Sequence, residues 1–275
     1  MTQTSTTPPG PTRPTALITG ASGGIGEAIA RQLAARHTHL ILVARNESRL
    51  QTLATELQDR HGVHAHVIAQ DLTAPHATDA LWEQVQTRNL QVDFLVNNAG
   101  FADYGEFHTL DRARQLDMIQ VNVTVLTDLT HRFLPGMVQR SRGRVLNIAS
   151  TAAFMPGPLM AVYYATKAYV LSFSEALNEE LRGTGVHVTA ACPGPVATGF
   201  QAAAQMEGSR LIATDAGQRA IMTPDTVAAE AVDAMLHGQS VRVIGLMNRV
   251  QAFLPRLVPR ALLPRIVKQV QDRAH

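Results

Sequence analysis

A tyrosine and a lysine that stand four residues apart in YYATK could carry out acid/base chemistry. On a helix this spacing brings the side chains of Tyr163 and Lys167 to one face. A phenol with a pKa of about 10 is a poor base at neutral pH. An ammonium group about 4 Å away, at an effective dielectric constant near 20, would favour the phenolate by about 4 kcal/mol, or about three pKa units. The spacing therefore predicts that Tyr163 is poised near neutrality, where general acid/base exchange is efficient.

Two more polar residues are candidates for the same site. Ser150 ends the apolar run VLNIAS, thirteen residues before Tyr163, and its hydroxyl could hold a substrate oxygen beside the phenol. Asn122 lies in IQVNV, a largely apolar stretch within the long fourth predicted helix. Taken singly, YxxxK helices and serines at strand ends are common, and Tyr164 competes with Tyr163. Only Tyr163 lies four residues before the lysine, and we assign the acid/base role to it.

A glycine-rich turn joins a strand to a helix near the start of the chain, in TALITGASGGIGEAIARQL. Glycines lack a Cβ atom and let the backbone approach a pyrophosphate, while the helix start offers free N–H groups and a positive dipole end. The spacing is not GxGxxG, so the strand, turn and helix context supports a dinucleotide site. The alternative is a tight connection without a ligand. The candidate cofactor contacts in this turn are Gly20, Ser22, Gly23, Gly24, Ile25 and Gly26.

Alternating strands and helices must position these residues. From residue 15, β-rich runs such as LILVAR and VDFLVNN alternate with longer helical patterns, which predicts parallel strands joined by helical crossovers. The predicted fold class is α/β: a Rossmann-like, doubly wound parallel sheet of about seven strands in a single domain, over residues 15–245. Ligands of such folds bind at the carboxyl edge of the sheet, where we expect the site.

The ends of the chain differ from this domain. Residues 1–14 are rich in Thr and Pro and predict a disordered tail. Residues 246–275 predict an amphipathic helical extension, which Pro255, Pro259 and Pro264 interrupt. We expect this extension to pack on the protein's own body or on a partner subunit, with peripheral membrane contact through residues 249–275 as the alternative. Residues 200–224 are weakly patterned and predict either a mobile lid or an ordinary surface connection.

The composition argues against several other classes of protein. Lys and Arg number 24 against 22 Asp and Glu, which gives no support for nucleic-acid binding. The eleven histidines are scattered, and we expect no metal site. The single cysteine, Cys192, excludes an intramolecular disulfide, and we expect it to pack among apolar side chains. The expected location is cytoplasmic.

The motifs TGASGGIG, NNAG at residues 97–100 and YYATK resemble those of the short-chain dehydrogenase/reductase family. Because of Gly23, the loop fits both the TGxxxGxG pattern and the TGxxGxxG pattern of the longer, epimerase-like members. The chain length and NNAG favour the shorter type. The resemblance implies a catalytic tetrad of Asn122, Ser150, Tyr163 and Lys167. It also implies cofactor contacts from Asp71, Leu72, Asn98, Ala99, Gly100, Tyr163, Lys167, Pro193, Gly194, Val196 and Thr198.

The resemblance also implies particular roles. The residue matching Asn122 helps to position a water beside the lysine, Asp71 and Leu72 contact adenine, NNAG lines the cofactor cleft, and PGPVATGF lines the nicotinamide pocket. Asp71 could equally cap the next helix. We expect a homodimer or homotetramer.

The end of the second predicted strand indicates which nicotinamide cofactor is used. An NAD-preferring protein usually has an acidic residue here to bind the ribose hydroxyls, whereas this chain has Ala44 and Arg45. Arg45 could hold the 2′-phosphate of NADP and stack on adenine, with Arg49 assisting. Alternatively, Arg45 is a solvated arginine that pairs with Glu47. We expect NADP(H).

Together these features predict an oxidoreductase that interconverts a ketone or aldehyde and an alcohol. NADPH would supply the hydride, Ser150 would hold the oxygen, and Tyr163 would protonate it with help from Lys167. A lipid-type or acyl ketone is the suggested small-molecule substrate, by fold analogy. The alternatives are a cofactor-sensing regulator without turnover and a sugar-nucleotide epimerase-like enzyme.

Overall fold

The computed structural model describes residues 13–199, 218 and 221–272. Within them lies one seven-stranded sheet with the strand order β3-β2-β1-β4-β5-β6-β7, in which every neighbouring pair is parallel. The strands are β1 (Thr15–Thr19), β2 (His39–Ala44), β3 (Ala65–Ala69), β4 (Phe94–Asn97), β5 (Gly143–Ile148), β6 (Val186–Cys192) and β7 (Val241–Val243). The order reverses between β1 and β4, and this confirms the predicted doubly wound fold.

Helices cover both faces of the sheet. They are α1 (Gly24–Ala34), α2 (Glu47–His61), α3 (Ala77–Thr87), α4 (Arg112–Ile119), α5 (Leu126–Gln139), α6 (Ala161–Glu180), α7 (Pro224–Leu236), α8 (Leu246–Phe253) and α9 (Leu263–Gln271). Successive residues of a strand point to opposite faces. Accordingly Ile18 packs in the cluster that contains α1, α2 and α7, whereas Leu17 packs in the cluster that contains α3 and α5. Both side chains are fully buried, which explains why the strand sequences are apolar throughout.

The helical stretch that contains Asn122 is not regular. Between α4 and α5 the chain forms a π-helical segment, Gln120–Val125, in place of the single long helix that the sequence predicted. Such a segment hydrogen-bonds five residues apart and occurs often at functional sites. Apolar periodicity alone could not reveal it, because it changes the backbone register and leaves the residue types as they are.

The chain beyond β7 is helical. Helix α8 begins after Gly245, a 3₁₀ turn covers Leu254–Arg256, and α9 has Pro264 in its first turn, where proline is tolerated. Within the described ranges, no helix combines the length and the apolar character needed to cross a bilayer. The predicted tail, apart from its last two residues, and most of the predicted lid over 200–224 lie outside the described residues.

Candidate active site

Helix α6 places Tyr163 and Lys167 on one buried face. Only 9% of Tyr163 and 6% of Lys167 is exposed. The Lys167 Nζ atom lies 5.8 Å from the centroid of the Tyr163 ring, and it donates a hydrogen bond to the Ile148 carbonyl oxygen at 2.7 Å. Tyr163 also forms a hydrogen bond with the side chain of Ser150. The phenol, the serine hydroxyl and the ammonium group therefore meet just beyond the end of β5.

Burial dominates the titration of both groups. Loss of solvent raises the pKa of Tyr163 to about 12, although the hydrogen bond with Ser150 lowers it. Burial also lowers the pKa of Lys167 to about 8. The expectation that Lys167 brings the pKa of Tyr163 near neutrality is therefore wrong for the protein without a bound cofactor. The sequence argument counted the attraction of the ammonium group and omitted the cost of burying the phenolate.

Ser150 is placed by the turn that follows β5. The strand ends at Ile148, and Ser150 begins the 3₁₀ turn Thr151–Phe154, with its Oγ accepting a hydrogen bond from the Ala152 N–H at 3.1 Å. The same hydroxyl lies 3.5 Å from the Pro193 carbonyl oxygen. These contacts fix the serine beside both Tyr163 and the chain that leaves β6.

Asn122 joins the π-helical segment to α6 and to the loop that follows β4. Its Oδ1 accepts from the Phe101 N–H at 3.2 Å, and its Nδ2 donates to the Phe101 carbonyl at 3.1 Å and to Thr166 Oγ1 at 3.1 Å. A Cβ atom on Gly100 would lie 2.9 Å from Asn122 Oδ1 and 3.7 Å from Lys167 Nζ. All four predicted tetrad residues are thus near one another. Asn122 hydrogen-bonds to Phe101 and Thr166, and Thr166 precedes Lys167 in α6.

The glycine turn is closely packed against β4. Gly20 has φ +68° and Gly24 has φ +57°, a conformation that side chains other than glycine rarely adopt. A Cβ atom on Gly26 would lie 2.3 Å from the Gly20 carbonyl oxygen. Asn98 holds this turn, because its Nδ2 donates to the carbonyls of Thr19 at 2.9 Å and Gly20 at 3.3 Å. The close approach leaves no room for side chains there.

Thr19 also holds the glycine turn against the end of β4, and the sequence analysis did not identify it as a site residue. Its buried hydroxyl accepts from the N–H groups of Asn98 and Ala99, each at 3.0 Å, and donates to the Val96 carbonyl. Asn147 was missed as well. It accepts a hydrogen bond from Asn97 and donates one to Ser174, each at 2.9 Å. An asparagine within the apolar run RVLNIAS was the available signal, and the structure shows it fully buried.

The end of β2 carries the predicted phosphate contacts. Arg45 is exposed, and its charge helps to lower the pKa of Asp71, for which the hydrogen bonds from Thr73 are the larger cause. No ion pair between Arg45 and Glu47 occurs among the described residues. Arg49 lies beside the glycine turn, since a Cβ on Gly23 would come within 3.9 Å of its Nη1.

Arg49 is next to space that a ligand could fill. Ser22, Gly23, Gly24 and Arg49 are among the residues that line an open cleft of about 460 Å³ between the starts of α1 and α2. Asp71 does not cap α3, whose N-cap position is His76. Leu72, which follows Asp71, is buried.

The segment after β6 passes close to the glycine turn. A Cβ on Gly24 would lie 3.0 Å from Thr198 Cγ2, and Val196 forms an isolated parallel bridge with Met222. Gly194 is held against α8, because a Cβ there would lie 2.6 Å from Asn248 Nδ2. Pro193 is buried, and its carbonyl accepts from the Thr151 N–H at 2.9 Å. Loop residues from β1, β4, β5 and β6 therefore converge at the carboxyl edge of the sheet.

Two other expectations concern side chains with metal-binding or redox chemistry. Cys192 is fully buried beside Leu126, Val170 and Ala190, as its predicted apolar role requires. Across the described part of the chain, no three His, Cys, Asp or Glu side chains cluster so as to hold a metal ion.

The C-terminal extension contacts helix α6. The Tyr104 hydroxyl donates to the Gln271 backbone carbonyl at 2.6 Å, and the Gln271 side-chain amide donates to the Tyr164 hydroxyl. Tyr164 packs edge-to-face on Tyr163 with 6.1 Å between ring centroids. Tyr104 and Met160 also belong to the apolar cluster that contains Tyr163. Helix α9 therefore contacts Tyr104 and Tyr164, two aromatic side chains that pack beside Tyr163.

Comparison with known proteins shows the family. A family model described as short chain dehydrogenase matches residues 14–208, well over half of the chain. The chain belongs to the short-chain dehydrogenase family. A short-chain dehydrogenase from Sphingobium yanoikuyae, solved in complex with NADPH, is 32% identical with a TM-score of 0.77, and the match covers 90% of this chain and 97% of that one.

Two curated relatives illustrate the range of this short-chain dehydrogenase family. The very-long-chain 3-oxoacyl-CoA reductase of Mus musculus is 35% identical over 190 residues, which cover 66% of this chain and 59% of that protein. The inactive hydroxysteroid dehydrogenase-like protein 1 of Homo sapiens is 35% identical over 189 residues, which cover 68% and 57%. The chain thus spans less than two thirds of the length of these relatives.

Proposed function

We propose that this short-chain dehydrogenase is an NADP(H)-dependent oxidoreductase that interconverts a ketone or aldehyde and an alcohol. The observation that carries the proposal is the hydrogen bond between Ser150 and Tyr163, with Lys167 one helical turn further along α6. A serine hydroxyl and a phenol that face each other can both donate to one substrate oxygen. This is the arrangement that protonation of a carbonyl oxygen requires.

The chain's own groups account for the proton. With its pKa raised to about 12, Tyr163 keeps its proton at neutral pH and is ready to donate it in the direction of reduction. Ser150 orients the oxygen, and Lys167 contributes positive charge that stabilises the phenolate left behind. In the direction of oxidation the phenolate accepts the proton from the alcohol. When bound, the dinucleotide supplies or accepts the hydride.

The residues present fit NADP(H). The turn from Gly20 to Gly26 has glycine at three closely packed positions. Because these residues have no side chains, a pyrophosphate can approach the backbone of the turn. Arg45 is exposed at the end of β2 and Arg49 lines the adjacent cleft, so both cations can meet a 2′-phosphate. The similar structure from Sphingobium yanoikuyae was solved with NADPH, which also supports this choice.

A lipid-type or acyl ketone is the substrate class that we propose. Similarity to very-long-chain 3-oxoacyl-CoA reductases supports it. The side chains that pack against Tyr163 are apolar as well, since Tyr104, Ala152 and Met160 belong to the same buried cluster. Apolar side chains would bind an acyl chain by excluding water from it. A homo-oligomer and a cytoplasmic location remain predictions.

The test is a panel of carbonyl compounds with NADPH or NADH, followed by the absorbance of the reduced nicotinamide. The panel contains 3-oxoacyl thioesters of increasing chain length, small ketones and aldehydes. We expect oxidation of NADPH, with kcat/KM rising with acyl length. Turnover of small carbonyls alone would contradict the acyl proposal, and a preference for NADH would contradict the cofactor.

A second candidate function is cofactor binding without turnover. Similarity to a protein named inactive is the observation that favours it. Tight NADPH binding together with no turnover of any carbonyl in the panel would support this candidate. The intact Tyr163 and Lys167 pair is the reason to prefer an enzyme.

A further inference from the structure

Exposed apolar side chains are concentrated in the C-terminal extension. Thirteen large hydrophobic residues are exposed in the described parts of the chain, and nine of them lie within residues 246–272. These nine are Leu246, Met247, Val250, Phe253, Leu254, Leu257, Leu262, Ile266 and Val270. A surface with so many neighbouring apolar side chains usually marks a site of interaction with another molecule.

The two helices of the extension each have a buried and an exposed face. In α8 the buried residues are Asn248 and Ala252, and the opposite side carries Leu246, Val250 and Phe253, which are 77%, 50% and 53% exposed. In α9 the buried residues are Leu263, Val267 and Gln271, spaced four residues apart. Ile266 and Val270 project beside this stripe into solvent and are 46% and 51% exposed. We call the nine exposed apolar residues the outer face.

The charge around the outer face is mainly positive. Residues 246–272 contain five cations and one acidic residue, Asp272, at the end of α9. All five are exposed, namely Arg249, Arg256, Arg260, Arg265 and Lys268. Arg249 lies 3.8 Å from Glu230, which is outside the extension. On α9, Arg265 and Lys268 occupy the side away from the buried stripe, so cations flank the apolar residues.

We infer that the outer face docks on an anionic lipid bilayer. Short amphipathic helices with large apolar side chains and surrounding Lys or Arg lie in the interface of such membranes. The apolar residues would enter the acyl boundary while the cations meet the headgroups. Charge decides against a second copy of the chain, because a symmetric contact through this face would bring five cations of one copy towards the same five of the other.

Docking would bring the membrane close to the reaction site. The buried stripe of α9 ends at Gln271, which hydrogen-bonds to Tyr104 and Tyr164 beside the phenol of Tyr163. One helix therefore both contacts the aromatic side chains beside Tyr163 and contributes to the outer face. A lipid-type substrate could pass from the bilayer to Tyr163 past α9; this step rests on the proposed function, whereas docking itself does not.

The experiment is flotation of the full chain with vesicles of phosphatidylcholine, alone or mixed with phosphatidylserine, at low and high salt. We expect binding to the anionic vesicles that weakens with salt, and little binding to phosphatidylcholine alone. Phe253→Glu combined with Ile266→Glu should abolish flotation. Arg256→Glu combined with Arg260→Glu should lower partitioning about tenfold or more, because each basic residue near the surface contributes about fivefold.

Phe107→Glu is the matched control, because Phe107 is 64% exposed and lies outside the extension. It should float like the wild type. Thermal melting of every variant checks the fold. Failure of the wild type to bind anionic vesicles at low salt would overturn the inference, as would equal loss in Phe107→Glu. A dimer that dissociates in the Phe253→Glu variant without vesicle binding would also overturn it and assign the face to a second copy. Because binding is measured without turnover, failure here is separate from failure of the proposed function.

Discussion

The ammonium group of Lys167 donates a hydrogen bond to the carbonyl oxygen of Ile148, the last residue of β5, at 2.7 Å. This contact directs the lysine towards the carboxyl edge of the sheet, where Ser150 and Tyr163 meet. A carbonyl satisfies one donor of the charged group without neutralising its charge. Burial therefore lowers the pKa of Lys167 to about 8.

Lys167→Met should change how stability depends on pH. The pKa of Lys167 is about 8 in the folded protein and about 10.5 in the unfolded chain. Between these values the unfolded chain holds the lysine proton more often than the folded protein does, so the contribution of Lys167 to stability rises with pH by up to about 1.4 kcal/mol per unit. The methionine variant lacks this rise. Its free energy of unfolding relative to the wild type should therefore fall from pH 8 to 10.5 in urea titrations.

Lys268→Met is the control for this measurement. Lys268 is the only other lysine in the sequence, and it is exposed. Its removal should leave the wild-type pH dependence intact. A stability difference for Lys167→Met that is constant across the range would show that Lys167 is not buried as a charged group.

Tyr163→Phe should abolish turnover while NADPH still binds. The change removes the phenolic proton and leaves the ring in its apolar cluster. General acid/base catalysis contributes about a hundredfold or more, so kcat should fall at least that far. Tyr164→Phe removes a hydroxyl that bonds to Gln271 and should be mild. Retention of more than about a tenth of kcat in Tyr163→Phe would refute the assignment.

Ala44→Asp combined with Arg45→Leu should shift the preference from NADPH towards NADH. Arg45 is exposed at the end of β2 and would lose its charge-assisted contact with a 2′-phosphate. Such a contact corresponds to about a ten- to hundredfold loss for NADPH, and the new carboxylate can bind the ribose hydroxyls of NADH. The measurement is kcat/KM with each cofactor, and an unchanged ratio would exclude Arg45 from the site.

Gly100→Ala should lower activity without unfolding the protein. The new methyl group would lie 2.9 Å from Asn122 Oδ1, so Asn122 must move from its position beside Thr166 and Phe101. We expect kcat to fall about tenfold or more, since small displacements in an active site are costly. Gly136→Ala, in the interior of α5, is the control and should keep full activity. Equal activity in both variants would mean that the position of Asn122 is unimportant.

The fold could be predicted from the sequence because its signals are local. Each strand is an apolar run and each crossover a helical pattern, and the glycine turn needs only the strand before it and the helix after it. The closeness of Ser150, Tyr163 and Lys167 followed from helix spacing and from the common edge on which parallel strands end.

The rest depends on contacts between distant parts of the chain. Burial of the Tyr163 hydroxyl reverses the direction of its expected pKa shift, and no spacing reports burial. Gln271 is 107 residues from Tyr164 and 167 from Tyr104, so its hydrogen bonds could not be read from a pattern. The buried chain from Asn97 through Asn147 to Ser174 likewise joins three separate elements.

The π-helical segment Gln120–Val125 constrains the number of residues in the chain as well as their types. Its hydrogen bonds span one more residue than those of an α-helix. Deleting one residue of the six would allow the segment to relax to an α-helix with little rotation of α4 against α5, because the deletion removes the extra residue that the π-helical hydrogen bonds enclose. Side chains within the segment would change direction, so Asn122 would turn away from Phe101 and Thr166 even though its own identity was unchanged. A scan of single-residue deletions should therefore find variants in this stretch that remain folded and lose activity.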